Sequence, residues 1–506
     1  MSGRSLVQAL QSGARKRGKM DRRNFIKVGG ALAGALGLGR LLPAQQAPQR
    51  PQMQNQTQNQ NSGAPQTPAD FTLKIAPVLV ELAPYRSLST IGYNGTSPGP
   101  LIRVREGKPM TIDVINDTDV PELVHWHGQL IPSEVDGAEE EGTPMIPPHG
   151  RYRYQFTPGP AGSRWYHTHT MAGSDLHRGT YTGQYGFFYI DSGKDPGKYD
   201  QEHFLALRDW EPFLANEDED DEDEDPNAPT PEKPTRMPRG ANGYEAVYRV
   251  VSINDKLMGG GAPIQVKQGQ RLLFHFLNAC ATSNRKIAMT GHKFQIFALD
   301  GNPVPNPQAV DVIAMGPGER VDCFVDMNRP GVWALGATAD ADRNAGLGII
   351  VEYENQKGQP QFLRPANRTW DYMVFGRPAA PPAPAETIDM IFEKVPGGVH
   401  GFNHWTINSK EFPHEDEFVL RPGSKYRIFF RNRTDDDHPL HIHRHLFEIV
   451  EINGKPTGGV MKDTVVVPQF GRVAVDLMAD QPGLTLFHCH NQMHMDFGFK
   501  ALFRYS

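Results

Sequence analysis

Cysteine is scarce: the 506-residue chain has three, Cys280, Cys323 and Cys489. That excludes a disulfide-built scaffold and a cysteine-rich zinc module. Cys280 and Cys323 could still pair in an oxidising compartment, since spacing alone does not decide it, which leaves Cys489 as the odd thiol. Long hydrophobic runs are also missing. The best candidate, Val28 to Leu42, is broken by glycines and carries Arg40, and it falls short of the roughly 20 apolar residues a span needs. Net positive charge is lacking outside the N-terminus. Residues 1–47 hold nine Lys/Arg and one Asp, so without them the formal net charge falls from −6 to −14. With no basic patch in the remainder, nucleic acid is not an expected partner.

The N-terminal segment explains its own charge. Asp21-Arg22-Arg23-Asn24-Phe25-Ile26-Lys27 precedes the weak apolar run, and Pro43-Ala44-Gln45-Gln46-Ala47 follows it. A charged region, a modest apolar region and small residues in that order describe an export signal. The paired arginines resemble a twin-arginine signal. Residues 1–47 are therefore expected to direct export to the periplasm or beyond, with no stable membrane insertion once they are removed. Residues 48–68, rich in Gln, Asn and Pro, read as a disordered tether. Glu217 to Asp225 are nine consecutive acids, expected to form a solvated loop because like charges repel. The Pro-rich stretch at 378–385 reads as an interdomain linker.

What the chain has in abundance is glycine and proline, 51 and 43 residues, and a threefold internal repeat. GKPMTIDVINDT (107–118), GQRLLFHFLNAC (269–280) and GSKYRIFFRNRT (423–434) share a glycine, an alternating apolar run and an asparagine. TPGPAGSRWYHTH (157–169), NRPGVWALG (328–336) and DQPGLTLFHCH (480–490) share Pro-Gly ahead of a second apolar run. Alternation with β-branched and aromatic residues predicts half-buried strands. The fold class is all-β: three consecutive Greek-key sandwich or barrel domains, near 69–195, 200–355 and 385–506.

Histidines are distributed over the repeat unevenly. The first copy has His125-Trp126-His127 and His167-Thr168-His169. The third has His438-Pro439-Leu440-His441-Ile442-His443 and His488-Cys489-His490-Asn491-Gln492-Met493-His494. The middle copy has neither cluster. Random placement of 19 histidines predicts about 0.7 His-x-His pairs, yet there are five, so chance does not account for them. On a strand, residues i and i+2 share a face, so each pair aims two imidazoles at one place. Eight imidazoles from four strands suffice for a cluster of several metal ions. Cys489 would face the other way, into a separate site. With two histidines, such as His438 and His494, its thiolate makes the trigonal set typical of blue copper, which transfers single electrons. Structural zinc and a Cys–His nucleophile fit less well.

The four clusters, in this order, resemble the copper-binding signatures of the multicopper oxidases: HWHG (125–128), WYHTH (165–169), HPLHIH (438–443) and HCHNQMH (488–494). The resemblance implies cupredoxin-like domains and four copper ions, with electrons from a phenol, aromatic amine or metal ion such as Cu(I) reducing O2 to water. It implies a type 1 copper held by His438, Cys489 and His494. It puts His125 and His441 on the type 2 copper, His127, His167 and His490 on one type 3 copper, and His169, His443 and His488 on the other. His488, Cys489 and His490 would carry the electron between the sites, and Asp136 would assist proton delivery, although an Asp-Gly turn accounts for that residue equally well. Two departures stand out. Phe499 occupies the axial position, which predicts a three-coordinate type 1 site of raised potential, with Met493 and Met495 as less favourable substitutes. Gln492 and Met495 stand where relatives carry a proton-relaying acid, leaving Asp496 nearby. His445 reads as structural. The methionines form no rich cluster, which favours organic donors over Cu(I). A reading from another class is a non-enzymatic cupredoxin-repeat protein of envelope assembly or copper storage.

Overall fold

The six repeated segments all form strands in the computed structural model, which describes residues 67–194, 196–216, 243–367, 369–397, 401–413 and 417–506. The export segment 1–47, nearly all of the tether 48–68 and the acidic run 217–225 lie outside the described residues. Among the described residues no helix is long and apolar enough to cross a membrane.

The first set of repeats forms Met110–Asn116, Arg271–Asn278 and Lys425–Asn432. Each pairs in parallel with the strand that opens its copy, namely Phe71–Ala83, Gln201–Asn216 and Glu386–Val395. The second set forms Gly162–Thr168, Val332–Ala337 and Leu484–Cys489. Each of these pairs antiparallel with a following strand, Tyr185–Asp191, Gly348–Tyr353 or Lys500–Tyr505. That partner then accepts a parallel strand from earlier in the copy. Among the described residues the outcome is two sheets per copy, six in all, with neighbours that are not consecutive in the chain.

The asparagine that closes each first-set strand has one job in all three copies. Asn116, Asn278 and Asn432 are buried, and each Nδ2 donates to backbone carbonyls of a nearby loop: Val120 and Ile146, Ser283 and Met315, Asp436 and Pro468. A buried amide that satisfies several orphan carbonyls holds a loop in place without added secondary structure.

One expectation needs correction. The first and third copies of the strand alternate as predicted, but Arg271–Asn278 is buried on both faces. Its second face is covered by the first copy. There His275 Nδ1 lies 2.7 Å from Asp322 Oδ1 and 3.0 Å from Ser163 Oγ, and its Nε2 lies 3.2 Å from Glu202 Oε1. The cysteine pairing that spacing left open is also decided. Cys280, Cys323 and Cys489 are all free and buried, so Cys280 and Cys323 are core thiols with no disulfide between them. The second and third copies share one continuous apolar core, whereas the first has its own. The first copy is joined to the rest by a small apolar cluster around Trp165, Phe187 and Leu277 and by buried polar contacts such as the one at His275.

Burial alone would lower the His275 pKa, but Asp322 and Glu202 outweigh it and raise it above 6.5. Glu202, hydrogen-bonded to His275 and Arg103, is lowered to about 2. The histidine contribution is therefore complete below pH 6.5 and fades as pH rises through the folded value. The glutamate contribution is present above 4.5 and fades as pH falls towards about 2. Replacing His275 by Gln is expected to destabilise the fold by about 3 kcal/mol at pH 5.5, and by clearly less at pH 9. Denaturant unfolding at the two pH values checks it, and equal losses would show that the ring contributes packing alone.

Candidate metal centre

Four of the five His-x-His pairs straddle the end of a strand. Val124–His125, Gly162–Thr168, His438–Ile442 and Leu484–Cys489 each include the first histidine of a pair, and the second lies just beyond. Register places His125 opposite His167 in one sheet and His441 opposite His488 in another. The two sheet ends face each other. His125 stacks on His443 at 3.9 Å between ring centroids, and His127 on His441 at 3.8 Å. Face sharing is thus a weaker device than the sequence suggests, because the chain leaves the sheet within each motif. His445 illustrates this. The strand ends at Ile442, Arg444 adopts φ 58°, and His445 bonds to the His443 carbonyl and the Tyr505 hydroxyl, so it does not share the face of His441 and His443.

Three groups of ring nitrogens converge, with all ligand atoms of a group within 4.8 Å of one another: His125, His127 and His441; His127, His167 and His490; His169, His443 and His488. The far side of most rings is anchored. Nδ1 of His125, His167, His441 and His488 faces the backbone carbonyl of Asp136, Thr168, Asp463 and Cys489 at 2.7–3.0 Å, and a carbonyl only accepts, so each Nδ1 carries the proton. His127 is reversed: its Nε2 faces Asp463 Oδ1 at 3.0 Å. The inward nitrogens are consequently bare. Among the described residues, buried His125 Nε2, His127 Nδ1, His167 Nε2, His441 Nε2 and His490 Nε2 have no hydrogen-bond partner. His443 donates from Nδ1 to Asp136 Oδ2 (2.8 Å), so its Nε2 presents a lone pair to the Nε2 lone pair of His488 at 3.1 Å. Such lone pairs repel unless a cation lies between them. Burial lowers the pKa of His127, His167, His169, His441 and His488 well below 6.5, and of His490 to about 3. The rings are neutral, which is the metal-binding form.

Cys489 opens a second pocket, on the other side of the strand. Its Sγ lies 3.5 Å from His494 Nδ1 and 3.8 Å from His438 Nδ1, and the two nitrogens are 3.1 Å apart. Asn491 creates this arrangement. Its Oδ1 accepts from the Met493 and His494 amides and starts the helix Gln492–Asp496, which turns His494 back beside the cysteine. Trp405 stacks on His494 at 4.0 Å. Thr434 Oγ1 lies 2.7 Å from His438 Nε2 and donates to Asn432, so His438 Nδ1 is the free nitrogen. Burial pushes the Cys489 thiol well above 9, and a metal bound here must displace its proton. The buried Phe499 ring sits 4.7 Å from that of His438. Met493 packs instead with Ala172, Tyr181 and Phe402.

Buried acids surround the histidines. Asp136 Oδ2 touches both His125 Nδ1 (3.1 Å) and His443 Nδ1 (2.8 Å). Burial would raise this carboxyl, but the two imidazoles outweigh it and pull it down. Glu141 lies 3.5 Å from the same His443 nitrogen and is pushed well up by burial and by Asp136. The two carboxyls are thus pushed apart, Asp136 towards the ionised form and Glu141 towards the protonated one. Asp496 accepts from the Ala172 and Gly173 amides and from Gln492, and burial raises it to about 6. It fastens the loop that follows His169. Glu141 and Asp463 escape sequence reading: the first is one of three successive glutamates, and the second is a lone acid between two strands.

Comparison with known proteins follows the same architecture. Three multicopper oxidase family models match residues 75–195, 202–355 and 389–506. The multicopper oxidase MmcO of Mycobacterium tuberculosis is 30% identical over 423 residues, covering 80% of this chain and 81% of that protein. A copper resistance protein A homolog of Pseudomonas syringae is 24% identical, covering 95% and 98%. Among solved structures, a multi-copper oxidase from Pseudomonas thermotolerans superposes with TM-score 0.65 at 25% identity, covering 87% of this chain and all of that one. Fet3p, whose structure is described as that of a multicopper oxidase functioning in iron import, superposes at 0.72 with 18% identity, covering 86% and 90%. With matching models in order along most of its length, the chain belongs to the multicopper oxidase family.

Proposed function

We propose that this copper-dependent oxidase takes single electrons from a reducing donor at the pocket of His438, Cys489 and His494, and delivers them to O2 at the pocket of eight histidines. The supporting observation is the set of bare, inward-facing ring nitrogens at one pocket and the thiol between two imidazoles at the other. On this reading the three sheet pairs are domains 69–195, 200–355 and 385–506. Residues 1–47 carry the export pattern, which puts the mature protein in the periplasm or outside the cell. Bound copper supplies one-electron oxidation of the donor and four-electron reduction of O2 to two waters.

On this reading the copper types fall as follows. His438, Cys489 and His494 hold type 1. His125 and His441 hold type 2. His127, His167 and His490 hold one type 3 ion, and His169, His443 and His488 the other. Cys489 is the electron receiver, and the strand connects it directly to His488 and His490 on the opposite face. The His488 Nδ1 bond to the Cys489 carbonyl, 2.8 Å long, adds a second short connection. Asp136 fixes two rings from one carboxylate and, with Glu141 beside the same His443 nitrogen, forms a carboxyl pair able to hold a proton next to the cluster. The donor is a phenol or aromatic amine, with Cu(I) a lesser candidate, since no methionine-rich segment accompanies the Cys489 pocket.

Copper analysis, visible absorption and oxygen uptake with a phenol panel and Cu(I) test the assignment together. About four coppers per chain, an intense blue band and donor-dependent uptake are expected; copper without turnover would contradict the oxidase reading. Cys489→Ser is expected to abolish the blue band and the uptake while copper falls only to about three per chain. Asp136→Asn is expected to lower turnover by about tenfold or more at unchanged blue absorbance, measured by steady-state oxygen uptake. Phe499→Met adds a thioether donor and is expected to lower the type 1 potential, measured by redox titration of the blue band.

A further inference from the structure

The middle copy carries no histidine cluster, yet it reaches the pocket. A Cβ added to Gly318 would come within 2.9 Å of the His490 ring. From the same copy, Arg320 extends between the other two, with its side chain fully buried. Its Nη1 donates to Asp463 Oδ1 at 2.7 Å and its Nη2 to Asp463 Oδ2 at 2.5 Å, and its Nε donates to the Ser163 carbonyl. Asp463 belongs to the third copy and, besides the Thr464 hydroxyl and the Ile442 amide, receives two ring nitrogens. Oδ1 accepts from His127 Nε2 at 3.0 Å, and the backbone carbonyl accepts from His441 Nδ1 at 2.8 Å. Asp300, also of the middle copy, clamps the same turn by accepting from the Thr464 amide at 3.1 Å and pairing with Lys462 at 3.0 Å.

We propose that Arg320 is a positioning residue for the histidine pocket: its two-pronged bond to Asp463 dictates that His127 presents Nδ1 to the metal. His127 is the ring held by a carboxylate at Nε2, while His125, His167 and His441 are held by carbonyls at Nδ1. A carboxylate rotates freely unless both oxygens are engaged, and the guanidinium fork engages both in one plane. The space for this pair is built into the first histidine motif. At Gly128, directly after His127 and at φ +82°, a Cβ would lie 2.6 Å from Asp463 Oδ2 and 2.7 Å from Arg320 Nη2. The glycine of HWHG is thus the seat of an ion pair supplied by the other two copies.

The inference rests on the copper assignment above, and the parent protein's copper count and blue band test that assignment separately. Arg320→Lys keeps the charge and loses the fork; Arg320→Gln loses both. Each holoprotein is dialysed against graded chelator, and copper retained is read beside blue absorbance in the same sample. Arg320→Gln is expected to release the cluster copper at a chelator concentration roughly 10–100-fold lower than the parent, with Arg320→Lys in between. The blue band of the Cys489 pocket should persist as in the parent. Parent-like retention of all copper in both variants overturns the proposal. So does loss of the blue band in step with the other copper, which would mean a general loosening. If Arg320→Gln does not accumulate as folded protein, the lysine variant decides on the same two readouts.

Discussion

An imidazole has two nitrogens, and it can offer a lone pair to a metal only when the other carries the proton. In a buried site that proton must be received by an acceptor of the protein, or the ring is free to take the wrong tautomer. Here the acceptors are specific: backbone carbonyls for His125, His167, His441 and His488, the Asp463 carboxylate for His127, Asp136 for His443, and the Thr434 hydroxyl for His438. The strands, the loop-stapling asparagines and the buried ion pairs all serve to place those acceptors behind the rings. The consequence is a pocket lined with bare nitrogens that ordinary protein structure would not tolerate.

The three copies share a topology and divide the work. The first and third supply the imidazoles, on sheet ends that face each other. The middle copy supplies charge. Arg320 and Asp300 reach into the junction, where the cations Arg320, Arg164 and Lys462 compensate the acids Asp463, Asp300 and Glu319. Buried charges are tolerated when each is paired and hydrogen-bonded. Such a network also resists sliding of one copy on another, because movement would strand a charge in a low-dielectric interior. The metal pocket needs that resistance, since its ligands come from two copies and an error of about 1 Å matters.

Some of this was legible in the residues. Alternation in 107–118 and 423–434 marks strands buried on one face, and the Pro-Gly segments mark the second set. The unusual number of His-x-His pairs marks the chemistry, and the isolation of Cys489 between two histidines marks a second pocket on the opposite face. Other features were misread or silent. Alternation does not show that the second face of Arg271–Asn278, in the middle copy, is covered from outside, because only a neighbouring copy covers it. It does not show that each histidine motif runs off the end of its strand, nor that Arg444 turns His445 away. Glu141, Asp463 and Arg320 lie in segments with no spacing signal, since a buried ion pair between distant copies leaves no local pattern.

The sequence by itself determined the chemistry and the building unit. Neutral imidazoles and one thiolate are the right donors for copper, and a threefold repeat of alternating segments can only bury its apolar faces as paired sheets. Only the tertiary structure decided which nitrogen of each ring is offered, which acid stands behind it, and that the histidine-free copy supports the pocket. For His127 and His443 those choices depend on hydrogen bonds to residues more than a hundred positions away, Asp463 and Asp136. A linear chain does not encode such partners in any local spacing, and they are selected when three copies close on one another and every buried polar atom must find its match.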